Sequence, residues 1–315
     1  NFALVKRKKM KKILGLLIVV GIAAGLIFLS RNYIKTYTAS GTVNCPPDAA
    51  NRLFLNADQR VKWLPGTNMT DSSFEWEGKK YVIQKLLLNG FYAIDLNEKN
   101  IIEFSFTPAL NNQTQFNVMV TEGNPGNFFS SIVKAMIKPV KKTAESFLTK
   151  VTAFFSETKN VYGIEIIKGR VEHMNWVSAM QDFDHLPTTS EVYTVIDTLE
   201  KFLATKQAAI LGQPILHIRT LDEKTYQMMT AVPVEKPIEP TDLFKNKTMT
   251  EGFLMKADVT GGLSRVAQAE RELENYLRDN HKQSPAIPYQ QLISDRRKQT
   301  DSAQWITQIN YPVFN

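Results

Sequence analysis

The sequence predicts an α+β chain, and three observations predict it. A basic cluster runs straight into an unbroken apolar segment. A train of short apolar runs separated by turn signals then closes in one long amphipathic pattern. The last half of the chain repeats a single order, strand–helix–strand–strand. Together these imply an N-terminal transmembrane helix, an antiparallel sheet with a long closing helix, and a duplicated βαββ domain.

The first element is the apolar segment. Lys6, Arg7, Lys8, Lys9, Lys11 and Lys12 precede residues 13–29, which carry no charged or amide side chain. At about 1.5 Å per residue that stretch reaches roughly 25 Å, the lower end of a bilayer span. Only Arg31 and Lys35 follow closely, so the N-terminus is expected to stay cytoplasmic and the bulk to be exported, a single-pass protein of the inner membrane. The segment ends in Phe28-Leu29-Ser30-Arg31-Asn32 rather than in small residues, which favours an uncleaved anchor. Gly21 and Gly25 stand at the spacing that lets two membrane helices approach, and offer a homodimer contact. The expected division is an anchor over 1–35 and soluble domains over 36–159 and 160–315.

Composition excludes several classes. The net charge is +7, yet 32 of the 38 Lys and Arg residues lie beyond the basic cluster, against 31 Asp and Glu. The remainder is nearly neutral, and a nucleic-acid grip needs a clustered cationic excess. Cys45 is the only cysteine, so no intrachain disulfide forms. His173, His185, His217 and His281 show no metal-ligand spacing, and no metal site is expected. Without a GxGxxG, P-loop or GxSxG motif, no cofactor is expected either.

In the first soluble half, residues 37–43 alternate as a strand, and Cys45-Pro46-Pro47-Asp48 starts a helix over 49–55. Strand-like runs follow at 73–76, 80–88, 91–97, 101–108 and 114–122, split by turn pairs such as Glu77-Gly78 and Asn89-Gly90. Phe129, Ile132, Val133, Met136, Val140, Ala144, Phe147, Leu148, Val151, Phe154 and Phe155 then recur at intervals of three and four. That is a helix over 127–156, with Pro139 kinking or splitting it. The run VNCPPDAANRLFLNADQRVKWLPG, with Trp63 near its end, and the long closing helix resemble the START-like (SRPBCC) helix-grip superfamily. The resemblance implies an apolar cavity between sheet and helix. The same phenylalanines would equally serve as core filling, and both readings stand open.

The second half is a duplication, with copies at about 160–234 and 251–313. The first reads as a strand over 171–181, a helix over 189–206 striped by Val192, Val195, Ile196, Leu199, Phe202 and Leu203, and strands over 214–219 and 225–234. The second reads as a strand over 251–259, a helix over 263–281 and strands over 289–294 and 304–313. The copies end alike, in YQMMTAVPV and WITQINYPV, and a Pro- and Lys-rich linker covers 235–250. This order resembles the GyrI-like effector-binding domain, which implies a curved sheet with a cleft for lipophilic, often cationic, molecules and a ligand-facing glutamate four residues before the last Pro. Here that position is Gln308, and an amide supplies neither negative charge nor a general base. Strand parity puts Gln308 and Asn310 on one face. Met229 is the repeat counterpart of Gln308, so Met229 and Gln227 are expected on the same cleft, with Trp176 and Tyr289 as walls.

The function expected is therefore a membrane-anchored binding protein, held by residues 13–29, for a hydrophobic or neutral polar small molecule, serving sensing, sequestration or transfer. One alternative is a hydrolase that draws its carboxylate from Glu165, Glu172 or Asp295; no catalytic residue is assigned. The other is an interaction scaffold whose clefts are filled.

Overall fold

A computed structural model of the protein describes residues 15, 17–25, 36–66, 70, 72–97, 99–123 and 139–314. They form two compact units, residues 1–157 and 158–315, each with its own antiparallel sheet.

The expected transmembrane helix needs correction. Among the described residues no helix is long and apolar enough to cross a membrane. The helix described there covers residues 17–25. The basic flank and the rest of the apolar segment lie outside the described residues. The membrane contact through residues 13–29 and the homodimer through Gly21 and Gly25 rested on the same span and lose their basis with it.

The first unit runs β1 (Thr36–Val43), α1 (Pro47–Leu55), α2 (Ala57–Trp63), then β2 (Ser73–Trp76), β3 (Lys79–Leu86), β4 (Gly90–Asp95), β5 (Ile101–Ala109) and β6 (Gln113–Thr121), and closes with α3, described over Pro139–Phe155. The sheet order is β1-β6-β5-β4-β3-β2. A meander from β2 to β6 thus returns to pair with β1, with the two short helices bridging from one sheet edge to the other. Pro47 opens α1 where its missing N–H costs nothing. Arg60, buried in α2, donates to the Phe54 and Leu55 carbonyls at the end of α1, and the Trp63 indole donates to Leu53 O at 3.2 Å. Residues 127–138 of the expected closing helix lie outside the described residues.

Within α3, Ala144, Phe147, Val151 and Phe155 are buried at helical spacing. They meet a continuous set of rings: Phe54, Trp63, Phe74, Phe91, Phe104, Phe106 and Phe116 lie in stacked, tilted or edge-on contact with centroids 4.8–6.4 Å apart. The space between sheet and helix is filled by aromatic side chains.

The second unit runs α4 (Thr158–Tyr162), β7 (Ile167–Arg170), β8 (Asn175–Phe183), α5 (Thr189–Thr205), β9 (Ile215–Thr220), β10 (Tyr226–Pro233), β11 (Phe244–Thr248), β12 (Phe253–Thr260), α6 (Leu263–Asp279), β13 (Tyr289–Leu292) and β14 (Ile306–Val313). The sheet order is β11-β8-β10-β9-β13-β14-β12-β7. The copies β8-α5-β9-β10 and β12-α6-β13-β14 sit in mirrored order and join where β9 pairs with β13. Two strands beyond the expected set complete the sheet. The strand expected over 171–181 is shifted to β8, β7 lies before it in a stretch not read as strand, and the stretch read as a linker contains β11. Each copy's leading strand pads the other copy: β7 pairs with β12, and β11 with β8.

Both helices cover one face of this sheet. Val177, Ala179, Met228, Val232 and Leu216 turn toward α5 and pack on Val192, Ile196, Leu199 and Leu203. Thr188 caps α5 in a reciprocal pair with Glu191, each side chain meeting the other's backbone N–H. On the α6 side, the Tyr311 hydroxyl donates to Glu274 at 2.9 Å. Because strand side chains alternate, the intervening residues of every strand point to the opposite, helix-free face.

Candidate functional site

The helix-free face of the second unit holds a cleft of about 750 Å³. Trp176 of β8, Ile215 of β9, Met229 and Ala231 of β10, Leu254 of β12, Tyr289 of β13 and Pro312 of β14 form its walls. Trp176, Ile215 and Ala231 form a buried apolar cluster with Met249 and Tyr289 packed against it. The end of β11 with its connection to β12, residues 247–252, and residues 285–287 before β13 complete the rim. The Trp176 indole is held by donation to His173 O at 2.8 Å.

One end of the cleft is polar. Glu172, His173, Lys256, Gln291 and Asn310 gather there, sharing Trp176, Leu254 and Tyr289 with the apolar part. Lys256 sits between Met255 and Ala257 in the strand FLMKADVT, and its side chain is 11% exposed. Its stem crosses the backbone of Gly169 on β7, where an added Cβ would lie 2.7 Å from Lys256 Cε. Its ammonium donates to Glu172 Oε1 at 2.7 Å, while the Glu172 side chain is 70% exposed. Hydrogen bonding and attraction from Lys256 hold the Glu172 carboxyl below the usual carboxylate range. Burial, with Glu172 nearby, pushes the Tyr289 hydroxyl up to about 12, so it stays protonated at neutral pH.

The residues expected to line the cleft divide into two groups. Trp176, Met229 and Tyr289 line it, and Asn310 lies at the polar end, buried and donating to Gln308 O. Gln308 itself shares that face but lines neither part. It is opposite Asp258 in the register, and its amide donates to the Asp258 carboxylate at 2.9 Å. Gln227 is further away, tied into an exposed chain in which Arg219 donates to its amide oxygen and it donates to Asp182.

The carboxylates suggested for hydrolysis are not gathered in one place. Glu165 is exposed, and Arg297 holds the Asp295 carboxyl low. Glu172 reaches the polar end but is also held ionised. A proton donor at neutral pH needs the opposite shift. Burial does raise the Glu270 carboxyl, which accepts from Gln290 at 2.9 Å. It faces a different cavity, about 400 Å³, on the helix-covered side between α5 and α6. Among the described residues no group of three or more His, Cys, Asp or Glu could hold a metal ion.

Lys256 and Ile215 were missed in the sequence reading. A lone lysine inside a strand of apolar neighbours was the available signal for the first. Ile215 carried none, since a wall position and a core position look alike in one strand.

No protein-family profile and no curated protein matches the sequence. Solved structures with this kind of fold are similar to it. The C-terminal domain of EcmrR shares 15% identity, covering 48% of this chain and 97% of that chain, at a TM-score of 0.40. SAV2435, solved bound to tetraphenylphosphonium, shares 15% identity over 48% of this chain and 94% of its own, at 0.32. A hydrolase from Listeria innocua shares 13% identity over 46% of this chain and 91% of its own, at 0.36. With so little shared sequence, the chemistry of the cleft follows from this chain's own residues.

Proposed function

We propose that the second unit is a small-molecule-binding module of the GyrI-like kind, which takes an apolar molecule into the cleft for sensing, sequestration or transfer. The observation that carries this reading is the 750 Å³ cleft walled by Trp176, Ile215, Met229, Ala231 and Pro312. Its volume and apolar lining suit a small ligand, with a few polar groups at one end to set orientation. Burial of apolar ligand surface would drive binding at about 25 cal/mol per Å². The first unit, with its helix-grip strand order and ring-filled core, is proposed as a closed scaffold rather than a second binding site.

The test uses the full chain and the neutral fluorescent probe N-phenyl-1-naphthylamine. Saturable binding is expected, weakened at least tenfold by Met229→Trp, which fills the cleft from one wall. Leu243→Trp, at an exposed position away from the cleft, should bind as the parent does. A parent that binds no probe, or a Met229→Trp variant that binds as tightly as the parent, overturns the reading.

A further inference from the structure

The charge arrangement of this cleft carries an inference about its ligand, resting on the reading that the cleft is the binding site. An ammonium removed from water needs a counter-ion, because burial of an unpaired charge is costly. Lys256 is nearly buried, and its partner Glu172, itself exposed, reaches it from the segment between β7 and β8. Moving Glu172 aside would bury no new surface and would return a carboxylate to water. The other charges around the cleft do not replace it. Glu251 faces Arg170 at 3.7 Å, and Lys247 on the rim adds positive charge. With Glu172 displaced, the lining is left cationic.

Donors surround the same point. Asn310 and Tyr289 line the polar end beside Lys256. The Tyr289 hydroxyl has no hydrogen-bond partner among the described residues, and it stays protonated at neutral pH. A hydroxyl, an amide and an ammonium at the polar end of an apolar cleft form a receptor for an anion. They disfavour a cation, which would meet Lys256 at short range in a poorly screened setting.

We infer that the cleft selects an apolar molecule with a carboxylate head, the head displacing Glu172 from Lys256 while the chain lies along Trp176, Ile215 and Met229. The ligand's carboxylate, enclosed by the cleft, interacts with Lys256 in a lower dielectric than the exposed Glu172 does. Glu172 is then the resting counter-ion, and it keeps Lys256 paired when no ligand is present.

The experiment displaces N-phenyl-1-naphthylamine from the full chain at neutral pH with three ligands of equal chain length: dodecanoate, dodecan-1-ol and dodecyltrimethylammonium. Dodecanoate should displace the probe at a concentration at least tenfold lower than the ammonium compound, and below that of the alcohol. Lys256→Met should erase the advantage of dodecanoate over the alcohol while both still displace the probe saturably, which a merely unfolded variant could not do. Lys256→Arg should keep the preference. Glu172→Gln should strengthen dodecanoate several-fold by removing the internal competitor. Equal or better displacement by the ammonium compound, or an unchanged preference in Lys256→Met, overturns the inference. Displacement by all three without charge preference sinks it while the cleft reading stands; failure of the probe to bind sinks both.

Discussion

Phe104→Ala tests whether the first unit is closed by its rings. Phe104 is fully buried on β5, and its ring meets Phe54, Trp63, Phe91, Phe106, Phe116 and Phe147 at centroid distances of 5.3–6.4 Å. Truncation to alanine returns about 100 Å² of apolar surface to the balance, or ~2.5 kcal/mol at ~25 cal/mol per Å². The hole left, about 80 Å³ before relaxation, adds up to ~2 kcal/mol at ~24 cal/mol per Å³. With partial collapse the expected loss is about 4 kcal/mol, within the usual range for a core phenylalanine. Cys45 supplies an assay confined to this unit, because it is the only cysteine and is 1% exposed. In mild urea, where modification of the thiol proceeds through unfolding of the unit, 4 kcal/mol corresponds to a labelling rate about 10³-fold faster in the variant. An acceleration below about tenfold would refute the reasoning. It would mean that the rings surround a space that was already open and that their burial contributes little.

Other predictions follow from single contacts. Thr188→Ala removes one half of the reciprocal cap on α5 and should cost the second unit about 1 kcal/mol, read by urea unfolding followed through tryptophan fluorescence. Gly169→Ala places a methyl group where the Lys256 stem passes, so the Glu172 carboxyl, held low by Lys256, should move back toward ~4.3 when titrated by NMR. Because the folded value is lowered, the unfolded chain binds more protons between the two values, and this pair's contribution is present above the unfolded value and lost as pH falls through the folded one. Glu172 is exposed and solvent screens it, so the contribution is ~0.5 kcal/mol, and Glu172→Gln should flatten the stability profile below pH ~4.5 by that amount. The half-buried His217 is lowered by desolvation, so as pH falls below ~6.5 the unfolded chain takes up the proton first and stability declines until the folded value is passed, and His217→Gln should reduce that acid-side decline.

The amino-acid sequence by itself determined the α+β class, because hydrophobic period is local. Val192, Ile196, Leu199 and Leu203 mark the buried stripe of α5 at helical spacing, and alternation marks β5, β6, β10 and β14. Parity put Gln308 and Asn310 on one face, and the repeat put Met229 with them. Neither could place β7 and β11, the strands Ile167–Arg170 and Phe244–Thr248, because both are sheet edges. Edge strands are short and carry Lys, Arg or Gly to avoid pairing with other chains, so IKGR and FKNKT read as loop.

Long-range pairing decided the rest. An apolar segment between basic residues met the compositional rule for a membrane span, yet among the described residues no helix is long and apolar enough to cross a bilayer. Whether the phenylalanines of the first unit enclose a cavity or fill it depends on the distance between sheet and helix, which no periodicity records. In the second unit, Gln308 and Met229 are equivalent by repeat. The strands beside them give one to Asp258 and the other to the cleft. Lys256 and Glu172 are 84 residues apart, and they meet only because β7, the leading strand of the first copy, crosses to pair with β12 of the second. That exchange of edge strands is a tertiary event, and it gives the cleft its charge.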